Sequence, residues 1–231
     1  MARVAAPDRL ARLAGAATES FGRVGYRRTR TDEVAKAAGM SAGALFNYVD
    51  SKDALFHLVF LVGFNELEAT PALPLHVARI DETIDLIKRG LRRTADAPHL
   101  AAAIRNDDPT DVGAELDAIV AEMFAFFTQT WRLLAAIERS ASDMPELEAF
   151  YFRQGRAGRR KQLEQYVSRR VASGHFRSSV DAVVAGRLLL ETAAWFAWHR
   201  REDRDAALYD DDRTLAGLTT LLRDALLEPE R

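Results

Sequence analysis

Apolar residues recur every three to four positions along almost the whole chain, which is the spacing of one face of an α-helix. The strict alternation of apolar and polar residues that indicates a β-strand is absent, and so are the Asn-Gly and Asp-Gly pairs that favour hairpin turns. The pattern therefore predicts an all-α protein of about nine to ten helices. We expect an N-terminal three-helix head, followed by a C-terminal helical bundle.

Capping residues, glycines and prolines interrupt this spacing and predict where the helices begin and end. The predicted helices cover residues 8–21, 31–38, 41–49, 51–70, 81–94, 100–105, 110–140, 145–173, 179–200 and 214–227. We expect Gly22 and Gly25 to end the first of them. The helix over 179–200 is apolar nearly all round, apart from Arg187 and Glu191 one turn apart, so we expect it to be buried. We place a head domain at residues 1–52 and a body domain at residues 53–231.

The segment TDEVAKAAGMSAGALFNYV, residues 31–49, has the residue types of a helix-turn-helix at each required step. Val34, Leu45 and Val49 are apolar where the two helices need contacts with a core. Gly39 supplies the left-handed backbone of a sharp turn, and Ser41 is a natural N-cap for the helix that follows. The residues left to face outward, on the side that would enter a DNA major groove, are Ala42, Gly43, Ala44, Asn47 and Tyr48.

The same segment is compatible with a compact trihelical core fragment, in which Gly39 is an ordinary C-cap and the small residues only permit close packing. The flanks favour DNA, because basic and hydroxyl side chains near helix N-termini are good phosphate ligands. These flanking residues are Arg27, Arg28, Thr29, Arg30, Ser51 and Lys52. Residues 1–60 carry nine Lys or Arg against six Asp or Glu, whereas the whole chain has a net charge of −2, so the positive excess is local to the head.

With its flanks included, the run FGRVGYRRTRTDEVAKAAGMSAGALFNYVDSKDALF resembles the TetR family of bacterial regulators, and the resemblance covers roughly residues 8–57. Two stretches of the body, MPELEAFYF and SGHFRSSVDAVVAGRLLL, are similar to one TetR subgroup in a looser way. The resemblance implies a transcriptional regulator that binds DNA. It implies DNA contacts from Thr31, Ser41, Gly43, Asn47, Tyr48 and Lys52.

Three residues depart from the family pattern and change the expected balance of DNA contacts. Ala42 stands where Lys, Arg or Pro is frequent, Ala44 replaces a common Thr, and Phe46 replaces a common Tyr. Asn47 is then the best candidate for reading a base edge, because an amide can bond adenine bidentately, while the alanine methyl groups can contact thymine. We expect phosphate contacts to supply more of the affinity than usual, from Arg28, Arg30 and Lys52.

A regulator of this kind needs two heads to read a palindromic operator in double-stranded DNA, since one short helix reads few base pairs. The resemblance places a homodimer interface on the helices near 145–173 and 179–200; alternatively, both apolar faces are internal core. Bulky aromatic residues are frequent in the body, and we select Phe64, Phe127, Trp131 and Trp195 as a candidate ligand pocket. We expect a repressor that an unknown small apolar or amphipathic ligand releases from its operator.

The composition argues against several other classes. The absence of cysteine excludes disulfides and thiolate metal sites and fits a reducing, cytoplasmic setting. No apolar run reaches the roughly 20 residues of a membrane-spanning helix. The five histidines are scattered without HExxH spacing, so we expect no metal, no cofactor and no enzyme activity. The alternatives are a helical interaction protein that keeps the head shape without DNA affinity and, with less support, an all-α enzyme.

Overall fold

The prediction of an all-α fold is confirmed by a computed structural model, which describes residues 6–205 and 210–229. The α-helices are α1 (Ala6–Arg28), α2 (Thr31–Ala37), α3 (Ala42–Leu45), α4 (Lys52–Gly63), α5 (Ile80–Thr94), α6 (Pro98–Arg105), α7 (Val112–Ala141), α8 (Pro145–Glu148), α9 (Ala157–Ala172), α10 (Ala182–Ala197) and α11 (Asp211–Leu226). A π-helical stretch, Ala149–Arg156, joins α8 to α9, and a short 3-10 helix, His199–Glu202, follows α10. With 145–172 counted as one helical segment, the described residues form ten α-helices, as predicted.

The chain forms two compact units. The first unit consists of residues 1–94 and 132–153, and the second consists of residues 95–131 and 154–231. The first unit therefore contains α1 to α5 and the C-terminal end of α7. Its core is formed by fully buried apolar side chains from the segments α1 to α4, including Leu10, Leu13, Phe21, Leu45, Val49, Phe56 and Phe60.

Helix α1 continues through Gly22, but its helical backbone is broken at Gly25, one of the two glycines that we expected to end it. A Cβ atom at Gly22 would lie 3.4 Å from the Cβ atom of Ala135, so Gly22 marks a close approach to α7. Gly25 has φ 82° and ψ 174°, a conformation open essentially only to glycine, and this non-helical residue makes a kink between two helical stretches. A Cβ atom there would lie 2.5 Å from the carbonyl oxygen of Arg139. The prediction of a helix end is therefore confirmed at Gly25 and wrong at Gly22, where the close contact with α7 has no local signal in the sequence.

Helix α3 is shorter than the predicted segment 41–49. After Leu45 the hydrogen bonds tighten, because the Asn47 N–H donates to the Ala44 carbonyl and the Tyr48 N–H donates to the Leu45 carbonyl, three residues back in each case. The Val49 N–H then donates to the Leu45 carbonyl, four residues back, at 3.2 Å. The chain keeps turning in the same sense up to Val49, so the predicted positions are preserved although the regular helix is brief.

In the second unit, α9 and α10 pack closely side by side. A Cβ atom at Gly186 would lie 2.8 Å from the backbone nitrogen of Glu164, so glycine permits this approach. The opposite face of α10 exposes Val184 (66%), Leu188 (44%) and Trp195 (41%). The prediction that this helix is buried was therefore wrong for the single chain, because only one of its two apolar faces is covered by the described residues.

A buried ion pair joins α9 to α7 in the second unit. The Arg170 side chain is fully buried, and it donates to both carboxylate oxygens of Glu115, at 2.7 and 2.8 Å. It also donates to the carbonyl oxygens of Ala103 and Asn106, both at 2.9 Å. These carbonyls lie at the C-terminal end of α6, where helical partners are lacking, so one guanidinium joins three helices.

None of the helices among the described residues is both long and apolar enough to cross a membrane.

Candidate nucleic-acid interface

The turn between α2 and α3 has the backbone that the sequence predicted. Gly39 has φ 73°, and a Cβ atom there would meet nothing within 4 Å, so glycine is needed for its backbone conformation and not for space. The Gly39 N–H donates to the Lys36 carbonyl, and the Met40 N–H donates to the Ala35 carbonyl at 3.0 Å. These bonds satisfy the last carbonyls of α2 and turn the chain sharply toward α3.

Helix α3 is anchored on its inner side and open on its outer side. Ser41 is its N-cap, since its hydroxyl accepts a hydrogen bond of 3.2 Å from the Ala44 N–H, as predicted. Leu45 and Val49 are fully buried in the core of the first unit. Of the outward-facing residues, Ala42, Gly43 and Asn47 are exposed. Ala44 and Tyr48 are half-buried.

Polar groups on this surface are few. The Asn47 side chain is exposed and makes no hydrogen bond with any described residue, so both its amide donor and its carbonyl acceptor are available. The Tyr48 hydroxyl accepts a hydrogen bond of 3.2 Å from Nη1 of Arg9 on α1. That bond leaves the hydroxyl proton of Tyr48 free to donate elsewhere. Arg9 was not among the residues selected from the sequence, because no local spacing links it to Tyr48.

Lys52, at the start of α4, is held in place by two interactions. Its Nζ donates to the Arg27 carbonyl at 3.1 Å and lies 4.8 Å from the ring centre of Tyr26. Partial burial lowers the pKa of Lys52. The Tyr26 hydroxyl donates to the carboxylate of Asp53, and burial, followed by the bond to Asp53, raises the pKa of Tyr26. Ser51 caps α4 by accepting from the Ala54 N–H at 3.1 Å, so this cluster is fixed to a helix end.

The two arginines expected to contact phosphates differ in their surroundings. Arg28 is exposed at the end of α1 and makes no hydrogen bond or ion pair with the described residues. Arg30, the residue before Thr31 at the start of α2, pairs with Asp32 at 3.0 Å, and this bond raises the pKa of Arg30 and lowers that of Asp32. Arg28 is therefore a free cation, whereas Arg30 must leave Asp32 to bind a phosphate.

The four residues of the candidate ligand pocket lie in different surroundings. Phe64 is buried in the first unit and stacks on Phe60, with ring centres 6.0 Å apart. The other three lie in the second unit, where Phe127 is buried and stacks on Trp198 at 6.4 Å. Trp131 follows Phe127 by one turn of α7 and is half-buried, while Trp195 is exposed on α10. Within the described ranges, no group of three His, Asp or Glu side chains is placed to hold a metal ion.

Comparison with known families gives one match within the first unit. Residues 13–59 match the family described as "Bacterial regulatory proteins, tetR family". The matched segment contains α2, α3 and most of α1 and α4, including the turn at Gly39 and the cluster around Lys52.

Individual proteins are similar to the chain in sequence over part of its length, or in fold. The chain is 33% identical over 75 residues to the HTH-type transcriptional regulator YhgD of Bacillus subtilis (strain 168), a match that spans 30% of this chain and 39% of that protein. The fold of this chain is similar to that of the transcriptional regulatory protein RHA5900, with a TM-score of 0.60 and 22% identity. The match covers 95% of this chain and 100% of that one. The fold is also similar to that of AibR in complex with isovaleryl coenzyme A and operator DNA, with a TM-score of 0.51, 18% identity, and coverage of 92% and 97%.

Proposed function

We propose that this chain is a TetR-type regulator that binds operator DNA through α2 and α3 and regulates transcription from that site, because residues 13–59 match the tetR family of bacterial regulatory proteins. The observation that carries the proposal is the geometry of α3. Its inner residues Leu45 and Val49 are fully buried, while Ala42, Gly43 and Asn47 form an exposed ridge beyond the Gly39 turn. A short helix that is held from behind and exposed in front can enter a major groove.

The residues around this ridge divide into base-reading and phosphate-binding groups. Asn47 is the base reader, because its free amide can bond the N6 and N7 atoms of adenine together. Ala42, Gly43 and Ala44 permit close approach to the groove floor, and the two alanine methyl groups contact thymine methyl groups. The phosphate ligands are the hydroxyl and basic side chains around the ridge, which are Arg28, Arg30, Thr31, Ser41, Tyr48 and Lys52.

Replacing Arg28 with alanine tests the DNA assignment. Since Arg28 has no partner among the described residues, its loss removes a phosphate contact without disturbing the fold. Binding to the DNA upstream of the protein's own gene should weaken several-fold, and by a similar factor for every variant of the DNA sequence. The slope of the logarithm of the binding constant against the logarithm of the salt concentration should decrease by about the amount of one phosphate contact. Fluorescence anisotropy at two salt concentrations measures both effects.

Arg92→Ala is the matched control, since Arg92 is an exposed arginine on α5 that also lacks a partner among the described residues. It should leave binding unchanged. A loss confined to one operator base in Arg28→Ala would contradict the phosphate role. Failure of the wild-type protein to bind any duplex at either salt concentration would favour the alternative of a helical interaction protein.

A palindromic operator requires a dimer, and the exposed face of α10 supports one. Val184, Leu188 and Trp195 lie four and seven residues apart, so they form one apolar stripe along the helix. An exposed apolar stripe with a polar edge is typical of an interface. Arg187 borders the stripe and pairs at 2.9 Å with Glu191, which lies on the same face between Leu188 and Trp195 and also pairs with Arg156 at 2.7 Å. We assign the stripe to a homodimer built from α10 and the neighbouring helices of residues 145–173.

Leu188→Asp should therefore convert the dimer into a monomer, because it places a charge in the middle of the apolar stripe. Sedimentation velocity should show half the mass, and operator affinity should fall with it. Leu221→Asp is the control, since Leu221 is even more exposed (69%) but lies on α11, outside the stripe. Equal effects of the two substitutions, or a wild-type protein that is already monomeric, would remove this interface.

The proposed regulator is a cytoplasmic repressor that a small apolar or amphipathic ligand releases from DNA. Support comes from the aromatic residues Phe127 and Trp131 of the second unit and from the similarity to AibR, which was crystallised with both isovaleryl coenzyme A and operator DNA. The ligand would act by favouring a separation of the two heads that cannot span successive major grooves.

A further inference from the structure

A polar cleft of about 430 Å³ lies in the first unit, between the C-terminal ends of α1 and α7. It is separate from the exposed ridge of α3 and from the four aromatic residues of the candidate ligand pocket. Its lining combines four arginines with two acidic side chains and consists of Arg23, Val24, Arg27, Arg28, Glu138, Arg139, Ser142 and Asp143.

The acidic side chains of the cleft already have partners. Asp143 accepts from the backbone N–H of Arg27 at 2.9 Å and lies 3.6 Å from the guanidinium of the same residue. Glu138 accepts from the Tyr151 hydroxyl at 3.1 Å. In contrast, Arg23, Arg28 and Arg139 make no hydrogen bond or ion pair with any described residue. Three guanidinium groups therefore border one cleft without a counter-charge from the described part of the chain.

The backbone brings these like charges together. The Gly25 kink presses α1 against the Arg139 carbonyl, and this contact sets Arg23 and Arg28 of α1 beside Arg139 of α7. The ends of two helices contribute a negative partial charge of about one half each, which offsets only part of the positive charge. Positive charges that are grouped without partners are stabilised by binding an anion.

We propose that this cleft binds a phosphate-type anion through Arg23, Arg28 and Arg139, which line it. The planar fork of arginine fits phosphate oxygens bidentately, and its charge is retained at every physiological pH. The cleft is large enough to admit a phosphate group that is attached to a larger molecule. The phosphate would bridge α1 and α7 and would compete with Asp143 for Arg27.

Two sources can supply this phosphate group, a free phosphate compound or the backbone of bound DNA. The first experiment is a calorimetric titration of the full-length protein with inorganic phosphate at constant ionic strength, with chloride as the reference anion. If a free phosphate compound is the source, we expect saturable phosphate binding that weakens at least tenfold in both Arg23→Gln and Arg139→Gln. Arg92→Gln, which removes an exposed arginine away from the cleft, should bind phosphate as the wild-type protein does.

The second experiment measures duplex affinity for the same four proteins in phosphate-free buffer. If the phosphate belongs to DNA, both cleft substitutions weaken duplex binding, and free phosphate gives no saturable heat. If it belongs to a free compound, the substitutions abolish phosphate binding and leave duplex binding unchanged. The proposal is overturned if neither measurement distinguishes the cleft variants from Arg92→Gln. Because the titration needs no DNA, it tests the cleft even if the wild-type protein binds no duplex, which is the result that would refute the proposed function instead.

Discussion

Gly25→Ala is expected to lower the free energy of unfolding by roughly 3 kcal/mol or more. Two effects act in the same direction. The backbone at φ 82° and ψ 174° is strongly unfavourable for any residue with a Cβ atom. A Cβ atom would also lie 2.5 Å from the Arg139 carbonyl oxygen, and a backbone atom cannot move aside as a flexible side chain would. The substitution should therefore separate the end of α1 from α7.

Gly15→Ala provides a matched control within the same helix. Gly15 is exposed, and a Cβ atom there would meet nothing within 4 Å. Alanine should stabilise this position by about 0.5–1 kcal/mol, because it favours the helix and restricts the unfolded chain. Urea denaturation of the three proteins measures both changes. Equal midpoints for Gly25→Ala and the wild-type protein would mean that the kink and its contact with α7 do not exist in solution.

Arg170→Met is expected to lower the free energy of unfolding of the second unit by about 3–5 kcal/mol. Methionine fills much of the volume of the arginine side chain but donates no hydrogen bond. The Glu115 carboxylate, whose side chain is only 15% exposed, would lose its counter-charge. The carbonyl oxygens of Ala103 and Asn106 would lose their donor as well. Thermal denaturation followed by circular dichroism measures the change.

Two further variants distinguish the effect of burying the Arg170–Glu115 pair from the effect of leaving one of its charges without a partner. Arg187→Met removes an arginine from an exposed pair with Glu191 and should cost at most about 1 kcal/mol, because solvent screens that pair. Adding Glu115→Leu to Arg170→Met should restore part of the lost stability, since no uncompensated charge then remains. If Arg170→Met cost no more than Arg187→Met, the buried pair would not be a major determinant of stability.

The parts of the candidate site that sequence alone predicted are those set by local backbone chemistry. Gly39 was predicted because a sharp turn after a helix needs a left-handed residue, and its φ is 73°. Ser41 and Ser51 were predicted as helix starts because their hydroxyls can accept from N–H groups three residues on, and both do so. Leu45 and Val49 were placed inside by their one-turn spacing, and both are buried.

The features that sequence alone missed depend on residues far apart in the chain. Gly22 was interpreted as a helix end because its close approach to Ala135 of α7 has no local signal in the sequence. The Arg9 bond to Tyr48 joins α1 to the chain just after α3, and no spacing rule connects them. Helix α10 was predicted to be buried on all sides because its sequence shows that a face is apolar. The sequence does not show which surface, if any, covers that face.

The scarcity of hydrogen-bonding side chains on α3 bears on how such a protein could acquire a new target. Positions 42 and 44 carry only methyl groups on a surface whose attachment to the core depends on Leu45 and Val49 instead. In the proposed DNA interface, a longer polar side chain at either position would add a preference at one base pair. On that proposal, the DNA preference could be changed at two positions while the buried residues behind them stay as they are.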